Sequence, residues 1–339
     1  MKKCILWQEA ESPASQKTIN DLCDLTSEIG YDIVKAPRGL RGRFTVYSAA
    51  KNYDILLTLY PNYLYPQRTL LNWEISRLSR ALQKTRLILL VHDHPLEQNE
   101  ILGKRVDQYR ETEKKILDST YKILLTTPLE LQSPSFIEYK EKVDYYGLLM
   151  YKRSKKSNKY KEGKHINVVY VGALDRMQKA VKGLPRIDNV VYHFYGTNGS
   201  WLNHAPGNIV YHGFIDTEEL SKILPTYDIG LVIRDLDDIG LTRYIAYGSA
   251  LSKTRAYAVA GLPIVVPTQY TGNAKTISDY KCGWSFSNMK ELGKIFSKPR
   301  SEIQRKRRNA KKLGDVIHTG ENIKDTLIGI EEELNDKNN

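Results

Sequence analysis

Short, unbroken apolar runs recur along this chain, separated by stretches in which apolar residues return every three or four positions. In the first half the runs are "KCILW" (3–7), "YDIVKA" (31–36), "DILLTLY" (54–60), "LILLVHD" (87–93) and "KILLTT" (122–127). In the second half they are "INVVYVG" (166–172), "VVYHFYG" (190–196), "IVYHG" (209–213), "IGLVI" (229–233) and "LPIVVP" (262–267). Runs without alternation suit parallel strands covered on both faces, and the longer period between them suits crossover helices. "QKTINDLCDLTSEIG" (16–30) predicts one such helix, with Gly30 at the left-handed position that ends it. "TEELSKILPTY" (217–227) predicts another, capped by Asp216 or Thr217.

The pattern stops at "KRSKKSNKYKEGK" (152–164), which reads as a solvated basic linker, and then restarts. A chain of 339 residues is also too long for one ordinary core. The expectation is therefore two successive α/β domains, a Rossmann-like one over 1–155 and a second over 166–315, followed by a C-terminal helix and tail over 316–339. With 41% hydrophobic and 27% charged residues the composition is that of a globular protein. "LILLV" (87–91) and "PIVVP" (263–267) are too short to span a bilayer, and "CILW" is too short for the core of a secretion signal. A cytoplasmic protein is expected.

Cys4, Cys23 and Cys282 are odd in number, lack CxxC spacing, and read as buried thiols rather than zinc ligands. The net charge of +12 collects in 152–164 and in "KPRSEIQRKRRNAKK" (298–312). No RNP-like strand, zinc finger or KH-type loop accompanies it, so no nucleic-acid partner is expected. Such patches solubilise a surface, or bring a protein to the periphery of an anionic leaflet.

In open parallel sheets, ligands bind beyond the carboxyl ends of the strands, and two facing sheets place that site in the cleft between them. "VYVGALDR" puts Gly172 at such an end and Arg176 in the loop, where a guanidinium can grip phosphate oxygens. The next two strands end at Tyr195-Gly196 and near Tyr211 and Gly213, tyrosines that either stack on a base or simply pack. "IGLVIRD" delivers Asp235, and Asp235-Leu236-Asp237 formally fits a metal-binding DxD; with Asp238 and Gly240 following, it reads equally as a solvated turn, and no metal is expected. In "SKTRAYAVAGLPIVVP" (252–267) a helix begins with Ser252, Lys253 and Thr254 and ends at Gly261. Its N-terminus favours anions, the lysine adds charge, and the hydroxyls add donors, so Lys253 reads as a diphosphate grip.

"SKTRAYAVAGLPIVV" resembles the nucleotide-binding segment of GT-B glycosyltransferases, in which a lysine precedes a tyrosine by four and then an A-G-x-P turn. "VGALDR", "HGFIDTEELSKILPTYDIGLVI" and "VHDHPLEQ" resemble one bacterial subgroup: glucosyltransferases that extend GlcNAc on serine-rich-repeat adhesins, and related galactofuranosyltransferase-like proteins. There one strand ends in Tyr-Pro, here Tyr60-Pro61, and a later one in His-Asp, here His92-Asp93. The resemblance implies a GT-B fold, two Rossmann-like domains facing across a cleft. It implies a nucleotide-diphospho-sugar donor, UDP-linked, bound by the C-terminal domain without metal or cofactor. Arg176 and Lys253 would hold the diphosphate, Tyr211 would lie near base or ribose, and Asp235 near ribose or donor sugar, with Gly172, Tyr195 and Thr254 completing the site. The chain departs from the pattern at Ala256, where a ribose-binding glutamate is common, and at Ala250-Leu251-Ser252-Lys253, where the subgroup reads Asn-Pro-His-Lys.

The N-terminal domain would bind the acceptor, a glycan, glycoprotein or lipid-linked saccharide, with Ser12 and Ser15 of "QEAESPAS" in its first loop. His92 and Asp93 are candidates for the base that takes the acceptor proton; the other reading is that they order a strand-to-helix turn. A non-catalytic GT-B protein that stabilises a partner glycosyltransferase is the alternative function, against which Lys253 and Arg176 speak. Oligomeric state, a homo-oligomer included, stays open.

Overall fold

The computed structural model describes residues 1–10, 13–37, 40–60, 80–94, 107–154, 156–175, 177–205, 208–235 and 252–336. They form two compact units, one of residues 1–149 and 320–339, the other of 150–319.

The first unit holds β1 (Lys3–Gln8), α1 (Pro13–Glu28), β2 (Asp32–Ala36), α2 (Leu40–Asn52), β3 (Ile55–Tyr60), β4 (Arg86–Val91), α3 (Asp107–Asp118), β5 (Lys122–Leu125) and β6 (Val143–Tyr145). Its sheet runs β2-β1-β3-β4-β5-β6 with every neighbouring pair parallel. All six positions of β3 are buried, which is why "ILLTLY" needs no polar face. Gly30, at φ +86°, takes the left-handed position after α1.

The second unit holds β7 (Ile166–Val171), α4 (Gln178–Lys182), β8 (Val190–Tyr195), β9 (Ile209–Tyr211), α5 (Thr217–Ile223), β10 (Ile229–Leu231), α6 (Ser252–Val259), β11 (Ile264–Pro267), α7 (Thr271–Asp279), β12 (Gly283–Phe286), α8 (Met289–Phe296) and α9 (Arg300–Thr319). Its parallel sheet runs β12-β11-β10-β7-β8-β9, so the strand order reverses between β7 and β10. Asp216 caps α5, accepting the backbone N–H groups of Glu218 and Glu219, each at 2.9 Å.

β6 and β12 were not predicted. Both are outermost strands, and their short sequences "VDY" and "GWSF" carry polar residues that erase the apolar run. The basic stretch 152–164 is less free than a solvated linker: the Arg153 Nε donates to the Val259 carbonyl, Tyr160 donates to buried Asp228 at 2.6 Å, and the Arg307 guanidinium lies 3.9 Å over the Tyr160 ring. The last helix, α10 (Glu321–Asp336), does not form a separate tail. It belongs to the first unit, where Ile323, Leu327, Ile330 and Leu334 are buried and Glu331 meets Lys3 Nζ at 2.6 Å.

Cys4, Cys23 and Cys282 are buried free thiols, each pushed up to about 12, by burial above all. No helix among the described residues is long and apolar enough to cross a membrane.

Candidate active site

The reversal of strand order in the second unit marks where a doubly wound sheet opens a crevice at its carboxyl edge. β7 ends there in Gly172, and β10 leads to Arg234 and Asp235. Gly172 has φ +133°, and a Cβ on it would lie 2.7 Å from Lys253 Cε and 3.0 Å from its Nζ. The missing side chain is thus what lets the lysine cross the strand end. Lys253, in the first turn of α6, comes to 5.2 Å over the Tyr170 ring. Gly196, at φ +153°, must also stay bare, because a Cβ there would sit 1.8 Å from the Gly172 carbonyl oxygen.

The Lys253 ammonium is lowered to about 8, chiefly by burial and then by the nearby positive charge of Arg234. Among the described residues no carboxylate pairs with Lys253 or with Arg234. Two cations gathered at a strand-order reversal and a helix N-terminus, neither paired with a described carboxylate, form a place for a multiply charged anion. Arg234 was missed at the sequence level, where Asp235 beside it drew the attention. An arginine ending the apolar run of the strand at the switch point was the available signal.

α6 is locked in place from behind. The Tyr257 hydroxyl, fully buried, donates to the Leu231 carbonyl at 3.2 Å and accepts the Val171 N–H at 3.1 Å, tying β7 to β10. Its ring fills the space that Gly230 leaves open, where a Cβ would lie 2.4 Å away.

The other expected donor-site residues divide. Tyr211 donates to the Gly196 carbonyl at 2.9 Å and packs against Gly199, so it shapes the loop after β8. Asp235 accepts the Ala180 N–H at 2.7 Å, at the short helix that follows β7. Thr254 is buried and donates to Asn273 Oδ1 at 2.8 Å, joining α6 to α7. Tyr195 turns to the opposite face from Phe194, as alternation requires: its ring stacks on His212 at 4.4 Å and its hydroxyl meets that of Tyr227 at 2.6 Å. Arg176 and Asp237 lie outside the described residues.

In the first unit, the carboxyl edge of the sheet carries His92 and Asp93 after β4, and Ser15 in the first turn of α1; Ser12 lies outside the described residues. His92 Nδ1 meets the Tyr60 carbonyl at 2.7 Å, so Nδ1 holds the proton and Nε2 is the basic nitrogen of the neutral ring. Asp93 accepts the His94 N–H at 2.9 Å, yet burial outweighs that bond and raises its carboxyl to about 6. A carboxylate poised near neutrality suits proton transfer at physiological pH.

Residues 168–330 match the family of glucosyltransferase 3-like C-terminal domains. The match takes in most of the second unit and runs on into α10. The fold of the whole chain is similar to that of the lipopolysaccharide outer core galactosyltransferase WaaB, at 10% identity and TM-score 0.56, covering 97% of this chain and 99% of that one. It is similar also to an alpha-glucosyltransferase in complex with UDP, at 12% identity and TM-score 0.60 over 94% and 96% of the two chains. A complex of an alpha-glucosyltransferase with UDP-glucose and DNA containing an abasic site gives TM-score 0.59 at 12% identity, over 92% and 94%. No curated protein matches the chain. Two doubly wound sheets and these likenesses make the fold GT-B, and the matched domain is of the glycosyltransferase class.

Proposed function

We propose that the protein transfers a sugar from a nucleotide-diphospho-sugar, UDP-linked, to a glycan, glycoprotein or lipid-linked saccharide. The observation that carries this reading is the Lys253 ammonium laid across Gly172 beside Arg234, without a carboxylate partner among the described residues. The similar structures that hold UDP and UDP-glucose support the choice of base. The donor diphosphate binds at the α6 N-terminus, and the two cations stabilise the charge that grows on it as the glycosidic bond breaks. Asp93 of the first unit takes the proton of the acceptor hydroxyl, with His92 held beside it by the Tyr60 carbonyl. Positive side chains at the diphosphate replace a divalent ion, so the reaction is metal-independent.

The test is a thermal-shift panel of UDP, GDP, CDP and their sugars, followed by turnover of the best donor. UDP should give the largest shift, and donor hydrolysis or transfer should persist in EDTA. A larger shift with another base reassigns the donor. Activity lost in EDTA and restored by Mn²⁺ returns Asp235 and Asp237 to metal binding.

The lowered Lys253 pKa sets a pH dependence. In the free protein the amine loses its proton near pH 8; a bound diphosphate favours the charged form and moves that loss toward the ordinary 10.5. UDP affinity should therefore be full below pH 8 and decline between 8 and 10.5, with proton uptake on binding at pH 8. Calorimetry in two buffers of different ionisation enthalpy reads the proton directly, and no uptake would detach Lys253 from the diphosphate.

A further inference from the structure

A second basic site lies in the same unit, away from the Gly172 crevice. A cavity of about 420 Å³ opens beside the C-terminal half of α6, lined by Ala256, Val259, Ala260 and Gly261, against α9 and the segment after Tyr151. From Lys253 to Ala260 the helix axis covers roughly 10 Å, so the two sites sit toward opposite ends of α6.

The cavity wall carries Arg153, Arg307, Arg308 and Lys311, with Ser157 at its edge and no acidic residue among those that line it. The charges differ in how they are held. Arg153 meets Asp315 at 2.7 Å, and the Arg307 guanidinium is held by the Tyr227 and Pro225 carbonyls. Arg308 and Lys311 are exposed and pair with no carboxylate among the described residues. Elsewhere on α9, Arg300 pairs with Asp228 and Arg305 with Glu302, Lys306 lies 5.5 Å over the Trp284 ring, and exposed Lys312 forms no ion pair among the described residues. Positions 307, 308 and 311 fall at spacings of three and four, where like charges repel along a helix. These three positions line the cavity.

A helix C-terminus would ordinarily oppose an anion, through its free carbonyls. Here they are already taken. Val259 O accepts from Arg153 Nε at 3.1 Å, Ala258 O from the Gly261 N–H at 2.8 Å, and Ala256 O from the Ala260 N–H at 3.0 Å. The floor left to a ligand is small and apolar and the wall is cationic. The volume is in the range of small-molecule sites, large enough for a phosphate group with part of the molecule that bears it.

We propose that this cavity binds a phosphate-bearing ligand, with Arg308 and Lys311 supplying the charge and the C-terminal half of α6 the floor. The site is separate from the donor crevice and does not depend on the function proposed for it.

The probe is inorganic pyrophosphate, titrated into the full chain by calorimetry at low ionic strength, where exposed charges are least screened. Lys253→Ala, which removes the crevice cation, should still bind it. In Arg308→Gln/Lys311→Gln the affinity for this site should fall by about tenfold or more, since two charge-assisted contacts are lost. Both side chains are exposed, so the double variant should keep the wild-type melting temperature and circular dichroism. Unchanged affinity in the double variant, or no binding in a folded Lys253→Ala protein, overturns the proposal by leaving the crevice as the sole anion site. Co-sedimentation with phosphatidylglycerol vesicles, against phosphatidylcholine, then separates the sources of the phosphate. Sedimentation that the double variant loses assigns a lipid headgroup, and pyrophosphate binding without sedimentation assigns a soluble phosphorylated molecule.

Discussion

Lys253→Ala should weaken UDP binding by roughly 10- to 150-fold, about 1.5–3 kcal/mol, and leave uridine binding unchanged. The ammonium lies over Gly172 and Tyr170 at the N-terminus of α6, where a diphosphate and not a nucleoside would find it. Arg234→Ala should act in the same direction with a smaller loss, about 3- to 10-fold, because its charge is felt at Lys253 but it does not lie across the strand end. Stability separates this role from a packing role. A half-buried ammonium lowered to about 8 is a charge the fold holds at a cost at pH 7, a cost that fades as the pH rises through 8. Its removal should leave the melting temperature at pH 7 unchanged or slightly higher. A lysine retained for its stem would give the opposite pair of results, a lower melting temperature and unaltered UDP affinity. Titrations of both proteins with UDP and uridine, beside one melting curve each, decide it.

How far the sequence carried the reading depends on how local each signal is. β3 and β4 were legible because burial on both faces writes an uninterrupted apolar run, while β6 and β12 each have only one neighbouring strand and write almost nothing. Lys253 was legible because a charge at the entrance of an otherwise buried helix needs a reason. Thr254 looked equivalent one residue later, but helical rotation turns it toward Asn273. The sequence places Tyr195 at a strand end but does not give its face; Phe194 and Tyr211 pair across β8 and β9 on one side, which sends Tyr195 to the other, against His212. The tilt of Asp235 toward the Ala180 N–H depends on two segments far apart in the chain, and no local pattern contains it. Topology set the strand-order reversal between β7 and β10, and that reversal, more than any motif, tells why Gly172 and Arg234 stand together.

Asp93→Asn should lower the rate of transfer by roughly 10²- to 10⁴-fold, the range expected for loss of a general base, with UDP affinity within about threefold of wild type. It should also make the protein more stable at neutral pH. The Asp93 carboxyl titrates near 6 in the folded chain against an ordinary value of 3.8, so on raising the pH the unfolded chain ionises first. Stability is therefore lost between about 3.8 and 6, and the full penalty stands above 6. Asparagine keeps an oxygen that can accept the His94 N–H and carries no charge to desolvate. The gain at pH 7.5 should be about 1–2 kcal/mol, discounted because the side chain is partly exposed, and should shrink toward pH 4.5. Wild-type kcat/KM should rise with pH through about 6 as the base ionises, and Asp93→Asn should lose that limb. A pair that merely orders the turn after β4 predicts a lower melting temperature with the pH profile intact. Higher stability combined with a lost pH limb has no explanation in packing, because it requires a carboxylate held above its ordinary pKa and put to use as a base.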